Sequence, residues 1–283
     1  MPLPRLYVQS LHFYPIKSCA GIELQSAWID ERGIKDDRGW LIVTDDNKFL
    51  TQRQNPKMAL IKATINGGGA DRSIKLEAPG LAPLTVPEFT SLEKNPGLSE
   101  RKVTVWDDSG LNSIDQGEDA AKWLSSFLDT SVRLVRMSDD GVRNVRGELP
   151  GAPQAVFAFQ DGFPFLLVSN ASLQELNNRM IDALPMDRFR PNIVIGGSDA
   201  FAEDRWATLR IGDVTFECDK PCARCVITTI DQQTATKQSE PLKTLATFRK
   251  EDNQVMFGQN AIHLNQGTIK VNDEVEILKM KSS

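Results

Sequence analysis

Short apolar runs alternate with polar positions along most of the chain and are broken by glycine, proline, asparagine or aspartate, a spacing that predicts a protein dominated by β-strands. Leu6 to Tyr14 forms the opening strand, stopped by Pro15. Ser26–Ile29 and Trp40–Val43 follow, with turns at Glu31-Arg32-Gly33 and Asp45-Asp46-Asn47-Lys48. Ile61–Ile65 and Ser73–Leu76 flank Gly67-Gly68-Gly69 and predict a hairpin. Recurring prolines from Ala78 to Pro96 give an edge strand and loop, and Val103–Trp106 and Val132–Arg136 are further strands. Helical spacing is clearest from Asp115 to Leu128, where Ala120, Ala121, Trp123, Leu124, Phe127 and Leu128 share a face. Ser138–Gln154, rich in Asp, Gly, Arg and Pro, reads as a linker; its Arg143 and Arg146 suit a solvated surface, a lid over an anionic substrate or a docking patch.

Beyond that linker, Phe163–Val168 is a buried strand leading into the helical pattern Leu173, Leu176, Met180. Ser169 or Ser172 suits its N-cap, and a helix N-terminus also receives anions. Pro191 excludes continued helix, so Ile193–Gly197 is a core strand. Val226–Ile230, β-branched throughout, reads as a buried strand, and Pro241–Arg249 as a short amphipathic helix. Gly267–Leu278 is expected to be a hairpin that seals a barrel.

A net charge of −5 over 283 residues argues against general nucleic-acid affinity. Neither an export signal nor a presequence is visible in Met1–Val8, and no run of about 18 apolar residues predicts a membrane span. Four cysteines spaced as one plus three make no disulfide framework, which fits a reducing cytoplasm.

Chemistry concentrates in Lys220-Pro221-Cys222-Ala223-Arg224-Cys225. A Cys-x-x-Cys pair is half of a zinc site, a dithiol redox pair, or one reactive thiolate beside a bystander. A redox pair sits at a helix start, against the strand expected after Cys225. Zinc needs further ligands, for which only Cys19, Cys218, His12 and His263 are available. Two small core hydrophobes are the plainer alternative. For a single thiolate, Lys220 and Arg224 would lower the pKa. Elsewhere, Lys17 and Ser18 lie in a polar loop after a strand, where such residues can hold a phosphate, and Arg190 offers a planar fork for bidentate contacts.

Lys220–Asp231 closely resembles the signature of the MOSC family, and Phe189-Arg190-Pro191-Asn192, Asp37-Arg38-Gly39-Trp40, the Lys17-Ser18 pair, Thr51–Pro56 and Phe257–Asn260 fit the same family in order. Within it, the likeness is to bacterial reductases of N-hydroxylated bases and the mitochondrial amidoxime-reducing component. The resemblance implies an α+β, β-dominated fold: an N-terminal β-rich domain over 1–137 and a MOSC barrel over 138–283, with strands allowed to cross. It implies a molybdenum cofactor, the metal joined to molybdopterin, with Cys225 as the protein ligand to molybdenum and Cys222 as a neighbour. Lys17, Ser18, Arg38, Ser169, Ser172, Arg190, Asn192 and Arg224 become cofactor contacts, while Arg53 braces the site. The activity implied is oxygen-atom abstraction from small N-hydroxylated substrates in the cytoplasm. Some relatives carry a fused [2Fe–2S] domain; this sequence ends at Ser283 with no cysteine quartet, so a separate ferredoxin-type or flavoprotein donor is expected. A carrier of cofactor or sulfur is the rival reading. The pyridoxal-phosphate chemistry of full-length cofactor sulfurases needs an aminotransferase-like domain for which these residues leave no room.

Overall fold

The computed structural model describes residues 5–68, 71–90, 97–146 and 155–282. Gly69 of the expected hairpin turn, residues 91–96 of the proline-rich stretch and 147–154 of the expected linker lie outside them. Strands dominate, as expected.

The largest sheet has nine strands, eight of them in the spatial order Val275–Met280, Trp206–Ile211, Val214–Ala223, Gln254–His263, Phe165–Ser169, Ile193–Gly196, Tyr7–Phe13, Ile22–Leu24. Its inward residues form one core that includes Val8, Leu11, Phe165, Ile193, Leu209, Phe216 and Ala261. One parallel pair among the described residues, Phe165–Ser169 beside Ile193–Gly196, is joined through the helix Asn170–Asn177. Gly258, within Gln254–His263, faces the neighbouring strand Phe165–Ser169 at φ +79°, where a Cβ would meet Val168 Cγ2 at 2.8 Å and Leu167 O at 2.9 Å. Only glycine permits that approach.

The N-terminal half adds a four-stranded sheet, Trp40–Thr44, Val132–Met137, Asp108–Asp115 and Glu100–Val105, and the antiparallel set Lys62–Asn66, Ser73–Glu77, Leu84–Pro87. Trp40–Thr44 is buried on both faces because its side chains alternate between two cores. Trp40 and Ile42 pack toward the helix residues Ala120 and Leu124, and Leu41 and Val43 toward Val103 and Phe159. The helix covers Glu118–Leu128, three residues shorter than expected, because Asp115 completes the preceding strand.

The halves are stitched together. Tyr7–Phe13 pairs with Ile193–Gly196, and Gly267–Lys270 pairs with Ser26–Asp30. That second pairing corrects the expected closing hairpin: Val275–Met280 pairs with Trp206–Ile211 instead, so the last two strands belong to different sheets. Another correction concerns Val226–Ile230, where Val226–Thr229 is a 3₁₀ turn rather than a strand. The hydroxyls of Thr228 and Thr229 donate to the carbonyls of Cys225 and Val226 at 2.9 and 2.7 Å. This local back-bonding outweighs the β-propensity of the run.

Candidate functional site

Loops from both halves meet along the seam between them. Arg38 N donates to Tyr14 O at 2.7 Å and Phe159 N to Arg38 O at 3.1 Å, so segments distant in sequence share backbone bonds. Ser18, Arg38 and Arg190 all hold left-handed backbone, with φ of 65°, 49° and 54°. Each non-glycine residue there costs roughly 1–2 kcal/mol, so the surroundings must hold these positions in place.

Tyr14 is the hub. The guanidinium of Arg38 lies 4.1 Å from its ring centroid and that of Arg190 4.2 Å. Its hydroxyl donates to Pro191 O at 3.1 Å. Burial pushes that hydroxyl up to about 12, although both arginines pull the other way. Beneath it, the buried Asp37 carboxylate accepts from Tyr14 N at 2.8 Å, from Arg38 Nη1 at 2.5 Å and from Asn192 Nδ2 at 3.2 Å. Asn192 Oδ1 in turn accepts from Arg38 Nη1 and Leu166 N, each at 3.2 Å. Arg38 Nη2 also reaches Arg190 O at 3.3 Å.

Lys17 is equally engaged. Its buried ammonium donates to Phe159 O at 2.6 Å and to Asp161 Oδ1 at 2.7 Å. Burial brings its pKa down to about 8 against the opposing pull of Asp161. Lys17 and a 2.9 Å bond from Trp106 Nε1 hold the largely exposed Asp161 carboxylate well below its usual pKa range. The guanidinium of Arg53 lies 4.6 Å from the centroid of the Trp106 ring.

Arg190 and Arg224 differ. Arg190 Nη1 donates to Cys19 O at 2.6 Å and to Gln232 Oε1 at 3.4 Å, while its buried Nη2 has no partner among the described residues. Arg224 Nη2 donates to Phe189 O at 2.7 Å, one residue from Arg190, and its buried Nε has no partner among the described residues. Among the described residues neither is in an ion pair. Gln52 and Gln232 bond each other at 3.0 and 3.1 Å, and Gln52 also donates to Ser18 O at 2.8 Å. A cavity of about 520 Å³ opens beside Tyr14, Arg190, Asp187 and Gln232 and does not extend to Lys17, Arg38 or Cys225.

The four cysteines separate cleanly. Cys19 and Cys218 are buried, and burial pushes both thiols up to about 12. Cys222 and Cys225 are partly exposed. Arg224 Nη1 lies 3.0 Å from Cys222 Sγ, so its guanidinium serves the expected bystander. Lys220 sits over the Phe163 ring at 5.2 Å. Cys225 precedes the 3₁₀ turn and makes no cap bond to it. Among the described residues, no three His, Cys, Asp or Glu side chains converge in a metal-holding group.

Lys17, Ser18, Arg38, Arg190, Asn192 and Arg224 are thus brought to one seam, and Cys225 directly follows Arg224. Ser169 and Ser172 are not brought to it. Ser169 caps the helix Asn170–Asn177 and meets Ser198 Oγ at 2.6 Å, while Ser172 donates to the buried Glu203 at 2.7 Å. Glu203 has its pKa raised by burial, against the bonds from Ser172 and Ser169. Arg143 is a correction to the solvated or docking loop: it is buried, stacks on Phe157 at 4.4 Å and donates to Ala158 O, Gln160 O and Asp108. Arg146 is exposed and paired with Asp107 and Asp108. Sequence reasoning missed Tyr14, Asp37, Gln52, Asp161 and Gln232. Asp37, beside Arg38, and Gln52, within Thr51–Pro56, stood in recognised motifs; Tyr14, Asp161 and Gln232 carried no such signal.

Comparison with known proteins finds matches over nearly the whole chain. The chain matches the MOSC N-terminal beta barrel domain over residues 5–131 and the MOSC domain over residues 154–276. It is similar to mitochondrial amidoxime-reducing component 1 of Homo sapiens, with 34% identity over 96% of this chain and 82% of that protein. The Mus musculus counterpart is 36% identical over the same shares. Molybdenum cofactor sulfurase of Danio rerio is 31% identical over 90% of this chain and 31% of its own length.

Proposed function

The chain belongs to the MOSC family, and from that premise we propose that it is a molybdenum-cofactor oxidoreductase that reduces small N-hydroxylated substrates such as amidoximes. The observation that carries this reading is the pair of partly buried guanidinium groups on Arg190 and Arg224, each with a buried N–H that finds no acceptor among the described residues, beside the partly exposed Cys225. A buried donor without a partner costs about 1–3 kcal/mol, and an anionic ligand removes that cost. The donor set therefore suits a pterin phosphate and its polar ring edges.

In this reading Arg190, Asn192, Arg38 and Ser18 hold the pterin, Arg224 and Lys17 add positive charge, and Cys225 is the thiolate ligand to molybdenum. When bound, the cofactor supplies two-electron reduction of the N–OH group. The chain's own residues prepare the place. Cys225 must give up its proton to ligate, and among the described residues no side chain bonds its sulfur, whereas Cys222 is held by Arg224. Tyr14, fixed at its hydroxyl and stacked by two cations, forms a rigid wall. The Gln52–Gln232 pair locks the Ser18 loop against the segment that follows Cys225. Electrons arrive from a separate ferredoxin-type or flavoprotein donor.

The test is turnover. Protein from a molybdenum-replete host, shown by metal analysis to be loaded, should reduce benzamidoxime with an artificial electron donor. With NADPH alone it should be inactive until a reductase extract is added. Loaded protein that binds the cofactor yet never turns over benzamidoxime or N-hydroxycytosine is a carrier, and the enzymatic reading is then wrong.

A further inference from the structure

Away from the seam, four charged side chains form a closed ring. Arg136 donates through Nη2 to Asp36 Oδ1 at 3.1 Å and through Nε to Glu88 Oε1 at 2.9 Å. Arg72 completes it, with Nε 3.0 Å from Glu88 Oε2 and Nη2 paired with Asp36 Oδ2. Each guanidinium bridges both carboxylates. The Asp36, Glu88 and Arg136 side chains are only 9%, 3% and 10% exposed. Replacing a buried ion network by apolar side chains is often neutral or stabilising, so stability alone does not account for the ring.

Its members come from separate places. Arg72 precedes Ser73–Glu77, Glu88 follows Leu84–Pro87, Arg136 lies on Val132–Met137, and Asp36 lies in the turn that carries Arg38. The ring therefore clamps that turn to two N-terminal sheets. The fit is close: a Cβ on Gly39 would stand 3.1 Å from Arg136 Nη1 and 3.2 Å from its Cζ. The same guanidinium stacks on Trp40 at 4.6 Å and donates to the carbonyls of Met137 and Gly39 at 3.2 and 3.4 Å. On either side of Asp37 the turn is left-handed, with φ of 67° at Asp36 and 49° at Arg38. Such backbone persists only where its surroundings determine it.

We propose that Arg136, with Arg72, is a positioning residue for Arg38: by gripping Asp36 the ring sets the turn whose next residues place Asp37 beneath Tyr14 and the Arg38 guanidinium against its ring. Its consequence for ligand binding rests on the reading of Arg38 as a cofactor contact. Neither ring arginine reaches the seam itself; both act through the turn.

Arginine side-chain NMR on the full chain purified without cofactor tests the placement. Arg38 Nε–H should carry a ring-current shift from Tyr14, and Arg136→Lys and Arg72→Gln should each move it toward the value of an unstructured arginine. The signal of Arg190, on the same ring, should hold. Lysine keeps the charge but cannot bridge two carboxylates, so Arg136→Lys guards against simple unfolding. In protein made with cofactor, pterin and molybdenum retention should fall roughly tenfold in Arg136→Lys, the scale of outer contacts to a ligand set. Adding Arg38→Ala should then cost no more than Arg38→Ala alone. An unmoved Arg38 signal in either folded variant, or additive losses, overturns the proposal. If Arg38→Ala alone retains the cofactor, the reading of Arg38 as a contact falls, and the NMR shift still decides the positioning.

Discussion

Arg38 and Arg190 meet the same tyrosine ring at 4.1 and 4.2 Å, yet their surroundings are opposite. Arg38 is bonded to the buried Asp37 and to Asn192. Arg190 has a backbone carbonyl, a distant glutamine oxygen and an Nη2 with nothing to bond among the described residues. The division extends across the seam. On the N-terminal side, Lys17 and Arg38 are each matched by an aspartate, whereas on the C-terminal side Arg190 and Arg224 are not. A cation paired internally organises the fold; one left unpaired in a buried place awaits a ligand. Closed half and open half should therefore answer differently to mutation.

The largest effect belongs to the open half. Cys225→Ser should abolish turnover and reduce molybdenum to background by metal analysis, because a hard, protonated hydroxyl replaces a soft thiolate. Melting should hold within about 0.5 kcal/mol, since no side chain among the described residues bonds this sulfur. Cys222→Ser should keep most of the metal. If Cys222→Ser alone empties the protein, the two cysteines have been assigned the wrong way round.

Next comes the closed half, where the loss should appear as stability. Asp37→Ala removes the acceptor of Tyr14 N, Arg38 and Asn192 and leaves the Arg38 charge without its partner, which should cost about 3–5 kcal/mol in denaturant unfolding. Arg190→Ala should barely change unfolding but lower cofactor affinity ten- to a hundredfold, the worth of one charged hydrogen bond, about 1.5–3 kcal/mol. Equal stability losses for both variants would erase the distinction between the halves.

Much of this was legible in the sequence, and the failures have a common cause. Period-2 alternation located Tyr7–Phe13, Ser26–Asp30 and the pair Lys62–Asn66 and Ser73–Glu77, because each buries a face that its own residues define, whereas Trp40–Thr44 showed itself as an unbroken apolar run buried on both faces. Arg38, Arg190, Asn192 and Arg224 stood in recognisable motifs. What could not be read was partnership. Nothing local says that Gln52 meets Gln232, or that Asp161 reaches Lys17, residues 144 positions apart in sequence. Val226–Thr229 failed for the reverse reason: threonine hydroxyls that bond three residues back override a strand pattern. Gly267–Leu278 looked like a hairpin because pattern reveals strands and not the sheets they join.

The smallest effect is the sharpest probe of the closed half, and it is a pH dependence. Burial lowers the Lys17 pKa from its ordinary 10.5 to about 8, and Asp161 keeps it from falling further. Below about 8 the folded protein carries a charged ammonium that can attract an anion; as pH rises through about 8 that charge goes and cofactor retention should weaken. Stability of the cofactor-free protein should move the other way. Between about 8 and 10.5 the unfolded chain binds the proton that the folded one has lost, so unfolding free energy rises with pH across that window. Lys17→Arg, charged throughout, should flatten both profiles. Asp161→Asn removes the group that opposes the shift, so the midpoint should move to lower pH. A midpoint that rises in Asp161→Asn would show that Asp161 does not stabilise the charged lysine, and Lys17 would then belong with Arg190 and Arg224 in the open half.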